Sequence, residues 1–236
     1  MITKWLHVAH LGGNPWVLPI WSAVNHAIAK GTFPNVDNDV RELGLYISTR
    51  LDMLPIITGR INTGWRDLYS ETLKFGDEYQ FEKNKDGYAI PVEKALLSQL
   101  LIDIDAFLFE TNACCELMMM FLQKMLNHLG ESIEEKKITK RFRDILMKNG
   151  HDPSWFRLLD TERNFFIHMA TPYVAIDIST PHPDLLIMKE NIKAFDDPTK
   201  FIRLSELDSV IKGFSEAIII VQEYLIKAYG AKKKAP

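Results

Sequence analysis

PVEKALLSQLLIDIDAFLFETNACCELMMMFLQKMLNHL, residues 91–129, decides the fold class. Pro91 opens the stretch and Gly130 closes it, with no glycine or second proline between them. Leu96, Leu97, Leu100, Leu101, Ile104, Phe107, Leu108, Cys115, Met118, Met119, Leu122 and Met125 recur at helical spacing and cover much of the circumference. A surface helix keeps one broad polar face, whereas a helix apolar on most sides is packed on several sides at once. The spacing therefore predicts a central helix, the longest in the chain, with other helices laid around it. Asp103, Asp105, Glu110 and Glu116 interrupt the apolar run and argue against a membrane span.

Working outward, helical spacing recurs on both sides. Residues 15–30 read as a first helix stopped by Gly31 and Pro34. A second starts at Asp37, carries Val40, Leu43, Leu45, Ile47 and Leu51, and is expected to end at Pro55. Residues 56–75 are ambiguous, because Gly59 and Gly64 weaken a helix that Trp65, Leu68 and Leu73 would suit. Tyr79–Lys83, the turn Asn84–Gly87 and Tyr88–Ile90 read as a β-hairpin. Downstream, Ser132 is expected to start a charged surface helix over 133–149. Asp152 caps another running to about Ala170, with Pro153 at its first position. The helical period then stops. Tyr173–Ile178 and Leu185–Lys189 form a second hairpin, Phe201–Leu204 a short strand, and Ser205 begins a last amphipathic helix ending at Gly230. The expected class is all-α: a helical bundle with a long central helix and one or two small β-hairpins. No repeat or linker forces a boundary, so residues 1–236 read as one domain. Residues 1–90 would be an N-terminal extension and 91–236 the helical core.

Composition narrows the classes of function. Apolar residues make up 47% and charged residues 25%, the balance of an ordinary globular domain. A formal net charge of -3 supplies no global basic field, so a nucleic-acid role would need a local patch. The two cysteines, Cys114 and Cys115, are neighbours on one helix and point about 100° apart, which suits free thiols in a reducing compartment. Neither a secretory leader nor a membrane span is read, so a cytoplasmic location is expected. No glycine-rich phosphate loop, zinc pattern or nucleophile elbow is present, and no cofactor or metal is expected.

The stretch with the densest chemistry is Arg163-Asn164-Phe165-Phe166-Ile167-His168, inside the helix capped by Asp152. Asn164 and His168 are four apart and share a helix face. Arg163 points about 140° from His168 but has a long side chain that can curl toward it. A guanidinium and an imidazole together can bind a phosphate and move a proton at it. The plainer reading is that Arg163 pairs with Asp160 or Glu162, Asn164 satisfies a backbone group, and His168 is a core histidine.

Arg163, Asn164 and His168, late in the chain between a long central helix and a final one, resemble the R-x4-6-H signature of the HEPN superfamily of helical proteins. The resemblance covers about residues 93–227. It implies metal-independent RNA cleavage in a defence or toxin system. His168 would activate a ribose 2′-hydroxyl or protonate the leaving oxygen, Arg163 would stabilise charge on phosphorus oxygens, and Asn164 would orient the pair. It also implies a homodimer whose two motifs face each other, and a regulatory protein partner. Where some toxin-type members carry a tyrosine two residues after the histidine, this chain has Ala170, which argues against control through that residue. From a different class, the alternative is a non-catalytic dimeric interaction module with a HEPN-like fold.

Weaker constellations complete the reading. His7 and His10 are three apart but lack a third ligand at useful spacing. Asp103, Glu110 and Asn112 either line an internal polar cleft or face water. Met118–Met120 and Met125 suit adaptable core or an interface. Lys136, Lys137, Lys140, Arg141 and Arg143 could track a phosphate backbone, but Glu134 and Glu135 interleave with them.

Overall fold

The computed structural model describes residues 13–74, 91–168, 173–189 and 197–231. Among them the chain is a helical bundle with one small antiparallel sheet, as the periodicities predict. A short turn of 3-10 helix at Pro15–Val17 leads into α1 (Leu18–Ala29). It is followed by α2 (Asn38–Leu73), α3 (Lys94–His128), α4 (Ile138–Lys148) and α5 (Ser154–His168). Strands β1 (Tyr173–Asp177), β2 (Asp184–Met188) and β3 (Phe201–Arg203) precede α6 (Leu204–Ala231). The expected hairpin at Tyr79–Ile90 lies outside the described residues.

The central helix is α3. Leu100, Ile104, Phe107, Leu108, Met118, Leu122, Met125 and Leu126 on it are shut off from solvent, and the free Cys114 and Cys115 are buried with them. Helix α2 runs antiparallel to α3, as the order of the bridging ion pairs shows: Lys124 with Asp39, Arg50 with Glu110 and Arg60 with Asp103.

Helix α2 corrects two expectations. At 36 residues it is one longer than α3, and it passes straight through Pro55. A proline removes one ladder hydrogen bond and crowds the preceding turn. Here Leu51, Leu54, Ile57, Ile61 and Leu68 are buried on both sides of it, so tertiary packing holds the helix across the break. Pro55 itself faces solvent.

A third correction concerns α4. Gly130, at φ 85, terminates α3 in the left-handed region, with Glu131 N–H donating to the Leu126 carbonyl at 2.9 Å. Asn127 Oδ1 then accepts from Ile133 N–H at 2.6 Å, and the Ile133 carbonyl accepts from Gln123 Nε2 at 2.9 Å. These bonds pin the segment against the end of α3. The α-helix therefore starts at Ile138 rather than Ile133, after a 3-10 turn at Glu135–Lys137. It is also less superficial than its charge suggests, since Ile138, Phe142, Ile145 and Leu146 are buried.

Helix α6 closes the bundle against α1, α4, α5 and the sheet. Trp16 Nε1 donates to the Ile218 carbonyl at 2.7 Å, and Gln222 returns a bond to the Trp16 carbonyl. At the other end, His128 bridges Tyr229 Oη (2.8 Å) and the Pro34 carbonyl (3.0 Å). A carbonyl only accepts, so His128 Nε2 carries the proton and Nδ1 takes the tyrosine hydroxyl. The sheet has order β1-β2-β3, and the central strand is buried on both faces: Leu185 and Ile187 toward the main core, Leu186 and Met188 with Phe201 in a smaller cluster.

Among the described residues, the glycine with least room for a side chain lies where α6 meets α5. A Cβ on Gly213 would stand 2.2 Å from both Cδ1 and Cγ of the buried Trp155. Gly213→Ala must therefore expel the indole from its slot, an overpacking cost of about 3 kcal/mol. The expected outcome is an unfolding temperature lower by roughly 6–12 °C, followed by circular dichroism.

Candidate functional site

Asp152 accepts from both the amide and the hydroxyl of Ser154 (3.0 and 2.7 Å), the capping role its residue type suggests. These bonds, the hydroxyl first, hold its carboxyl below the usual range. From there Trp155, Phe156, Leu159 and Glu162 form the buried face of α5. Trp155 Nε1 donates to His151 Nε2 at 2.9 Å, which leaves the proton on His151 Nδ1 to donate to Glu216 Oε2 at 2.8 Å. That chain locks the start of α5 onto α6.

Arg163 lies on the flank of α5 and is half-buried. Its Nε is buried without an acceptor, and neither Asp160 nor Glu162 forms an ion pair with it among the described residues. Glu162 is 5% exposed and is taken instead by Lys189, just past β2, whose Nζ lies 3.0 Å from each carboxylate oxygen. Burial pushes the Glu162 carboxyl up, and the Lys189 ammonium opposes that shift. Lys189 also sits 5.9 Å over the Phe165 ring. Asn164 faces solvent. His168 is the last residue of α5, four positions beyond Asn164, and its side chain lies outside the described residues. The helical register thus keeps Asn164 and the His168 backbone on one face with Arg163 to the side.

The arrangement offers a guanidinium that no acid pairs with and an exposed amide, beside a buried carboxylate that accepts a hydrogen bond from Lys189 at Oε1 and, among the described residues, has none at Oε2. Next to it, a groove of about 1150 Å³ runs between α5 and α6. Arg157, Thr161 and Glu162 line it from α5, and Glu206, Lys212 and Glu216 from α6. Arg163 and Asn164 do not line this groove.

The other candidates are accounted for locally. Asp103 is buried and is met by Arg60 and by Gln99 Nε2 (3.2 Å), beside a groove of about 430 Å³ between α2 and α3. Glu110 pairs with Arg50, and buried Asn112 donates to Glu116 at 2.7 Å. Lys136 and Lys137 pair with Glu134, Arg141 with Glu131 and Tyr224 Oη, and Arg143 stacks on Phe156. His7 and His10 lie outside the described residues, and among those described no three His, Cys, Asp or Glu side chains gather as a metal site. No described helix is long and apolar enough to cross a membrane.

Sequence reasoning named Glu162 only as a neighbour for Arg163, and missed its burial, Lys189 and His151. Glu162 was detectable in principle, because it continues the apolar stripe of Trp155 and Leu159 at helical spacing. Its partner Lys189, 27 residues on and in another element, was not. No family model, curated protein or solved structure matches the chain.

A carboxyl raised in the folded state stabilises it fully below the ordinary carboxylate range, and that contribution is lost as pH rises through the raised value. Lys189 limits the loss. Lys189→Met is therefore expected to cost about 3 kcal/mol at pH 7 and much less at pH 4, where Glu162 is protonated. Urea unfolding at the two pH values measures the difference.

Proposed function

We propose that α5 is the catalytic helix of a HEPN-like, metal-independent endoribonuclease of defence or toxin type, with Arg163, Asn164 and His168 as its working residues. The observation that carries this reading is the unclaimed guanidinium of Arg163. Both nearby acids leave it free, Glu162 because Lys189 holds it, and its buried Nε has no acceptor. A phosphate oxygen at the terminal nitrogens of Arg163 would give the unpaired guanidinium a charge-assisted partner.

In the proposed reaction His168 takes the proton from a ribose 2′-hydroxyl. The 2′-oxygen attacks the adjacent phosphorus, the bond to the 5′-oxygen breaks, and that oxygen takes up the proton that His168 removed, directly or through water. Arg163 neutralises charge gathering on the non-bridging oxygens, and Asn164 positions the phosphate. The products are a 2′,3′-cyclic phosphate and a 5′-hydroxyl.

Purified protein incubated with single-stranded RNA in EDTA is expected to yield those ends. Arg163→Ala and His168→Ala are each expected to lower the cleavage rate by about a hundredfold or more with unchanged unfolding temperature. Intact RNA after incubation with the wild-type protein, or a His168→Ala chain that unfolds, refutes the assignment.

A further inference from the structure

Arg157, Thr161 and Asn164 follow one another on α5 at spacings of four and three, and the position of His168 is four further on. At about 100° per residue the four positions fall within roughly 60° of one another, a single stripe along the helix. Arg157, Thr161 and Asn164 are exposed on it. One half of the stripe carries Asn164 and His168, and the other half, Arg157 and Thr161, lines the groove of about 1150 Å³ between α5 and α6.

Lys212 stands across that groove. Trp155 packs on Gly213, and the Glu206 carboxylate lies close enough to Glu162 to repel it, so α5 and α6 run antiparallel and Arg157 comes level with Lys212. Arg143 borders the groove from α4, stacked on Phe156. Among the described residues no carboxylate pairs with Arg143, Arg157 or Lys212. The acids of the groove are each engaged: Asp152 by Ser154, Glu162 by Lys189, Glu206 by the Arg203 amide at 2.9 Å and Glu216 by His151. Four carboxylates against three cations give no broad basic field. What the groove holds is directed donors that a phosphate takes without breaking an internal ion pair.

We propose that this groove is a subsite for single-stranded RNA, in which Arg157 and Lys212 hold a backbone phosphate a few nucleotides from the scissile bond. The assignment rests on the RNA reading of α5 and gives the strand a path beyond the reacting phosphate. From Arg157 to His168 the helix rises about 16 Å. That is up to about five nucleotides of a stacked strand at roughly 3.4 Å each. Packed helices lie about 8–10 Å apart, which leaves width for one strand and not for a duplex. Leu158 and the exposed Met147 offer apolar surface to the bases between phosphates.

The probe is a 2′-O-methyl RNA of about eight nucleotides, which lacks the nucleophilic hydroxyl and reports binding without cleavage. Anisotropy titrations of the full chain are expected to show about tenfold weaker binding for Arg157→Ala and for Lys212→Ala, each with a salt slope smaller by about 0.7. Arg157→Lys should recover part of the affinity, and Lys227→Ala, outside the groove, should leave it unchanged. On cleavable RNA of the same length, Arg157→Ala should raise KM about tenfold at unchanged kcat, with no effect on a dinucleotide, which is too short to reach Arg157. A wild-type chain that does not bind the probe, or an Arg157→Ala chain that binds and cleaves as wild type does, overturns the subsite. Binding that depends on Arg157 without cleavage of ordinary RNA upholds the subsite and refutes the nuclease, so the two readings fail separately.

Discussion

Leu100, Ile104, Phe107, Leu108, Met118, Leu122, Met125 and Leu126 all lose their solvent on one helix, and the other helices are placed by what they contribute to covering them. Side chains of this size are each worth about 1.5–3 kcal/mol when fully buried, so α3 concentrates much of the hydrophobic driving force in a single element. Helix α2 covers one flank of it and α4, α5 and α6 others, while Trp16 and Trp21 close over Phe121 from the N-terminal side. The ion pairs along α2 and α3 add little free energy where they are exposed. Their use is positional, since they fix the register in which the two long helices meet.

Where local pattern and tertiary demand agree, the fold is legible from residues alone. The spacing on α3 and α6, the cap at Asp152 and the short apolar runs of β1 and β2 between turn residues all required nothing from elsewhere in the chain. Legibility fails where a distant partner overrides a local signal. Pro55 reads as a stop until the burial of Leu54 and Ile57 is known. Ile133 reads as a helix start until Gln123 and Asn127 are seen to hold it in a connecting segment.

The same division runs through the site. That Arg163, Asn164 and His168 occupy one helix could be read from the spacing, and the plainer pairing of Arg163 with Glu162 could be read equally well. Lys189, delivered by the sheet, separates the two by occupying Glu162. A small β-element in a helical protein thus does more than cap the bundle. It places a cation where a buried carboxylate would otherwise claim its sequence neighbour.

The bond from Trp16 to the Ile218 carbonyl joins residues 202 positions apart. While the chain is being made, Trp16 therefore lacks this partner until nearly the whole polypeptide has left the ribosome. At roughly 5–20 residues per second that wait is about 10–40 s. During it, the apolar faces of α1 and α3 that α6 will cover stand without it, and the last helix to emerge is the one that closes them.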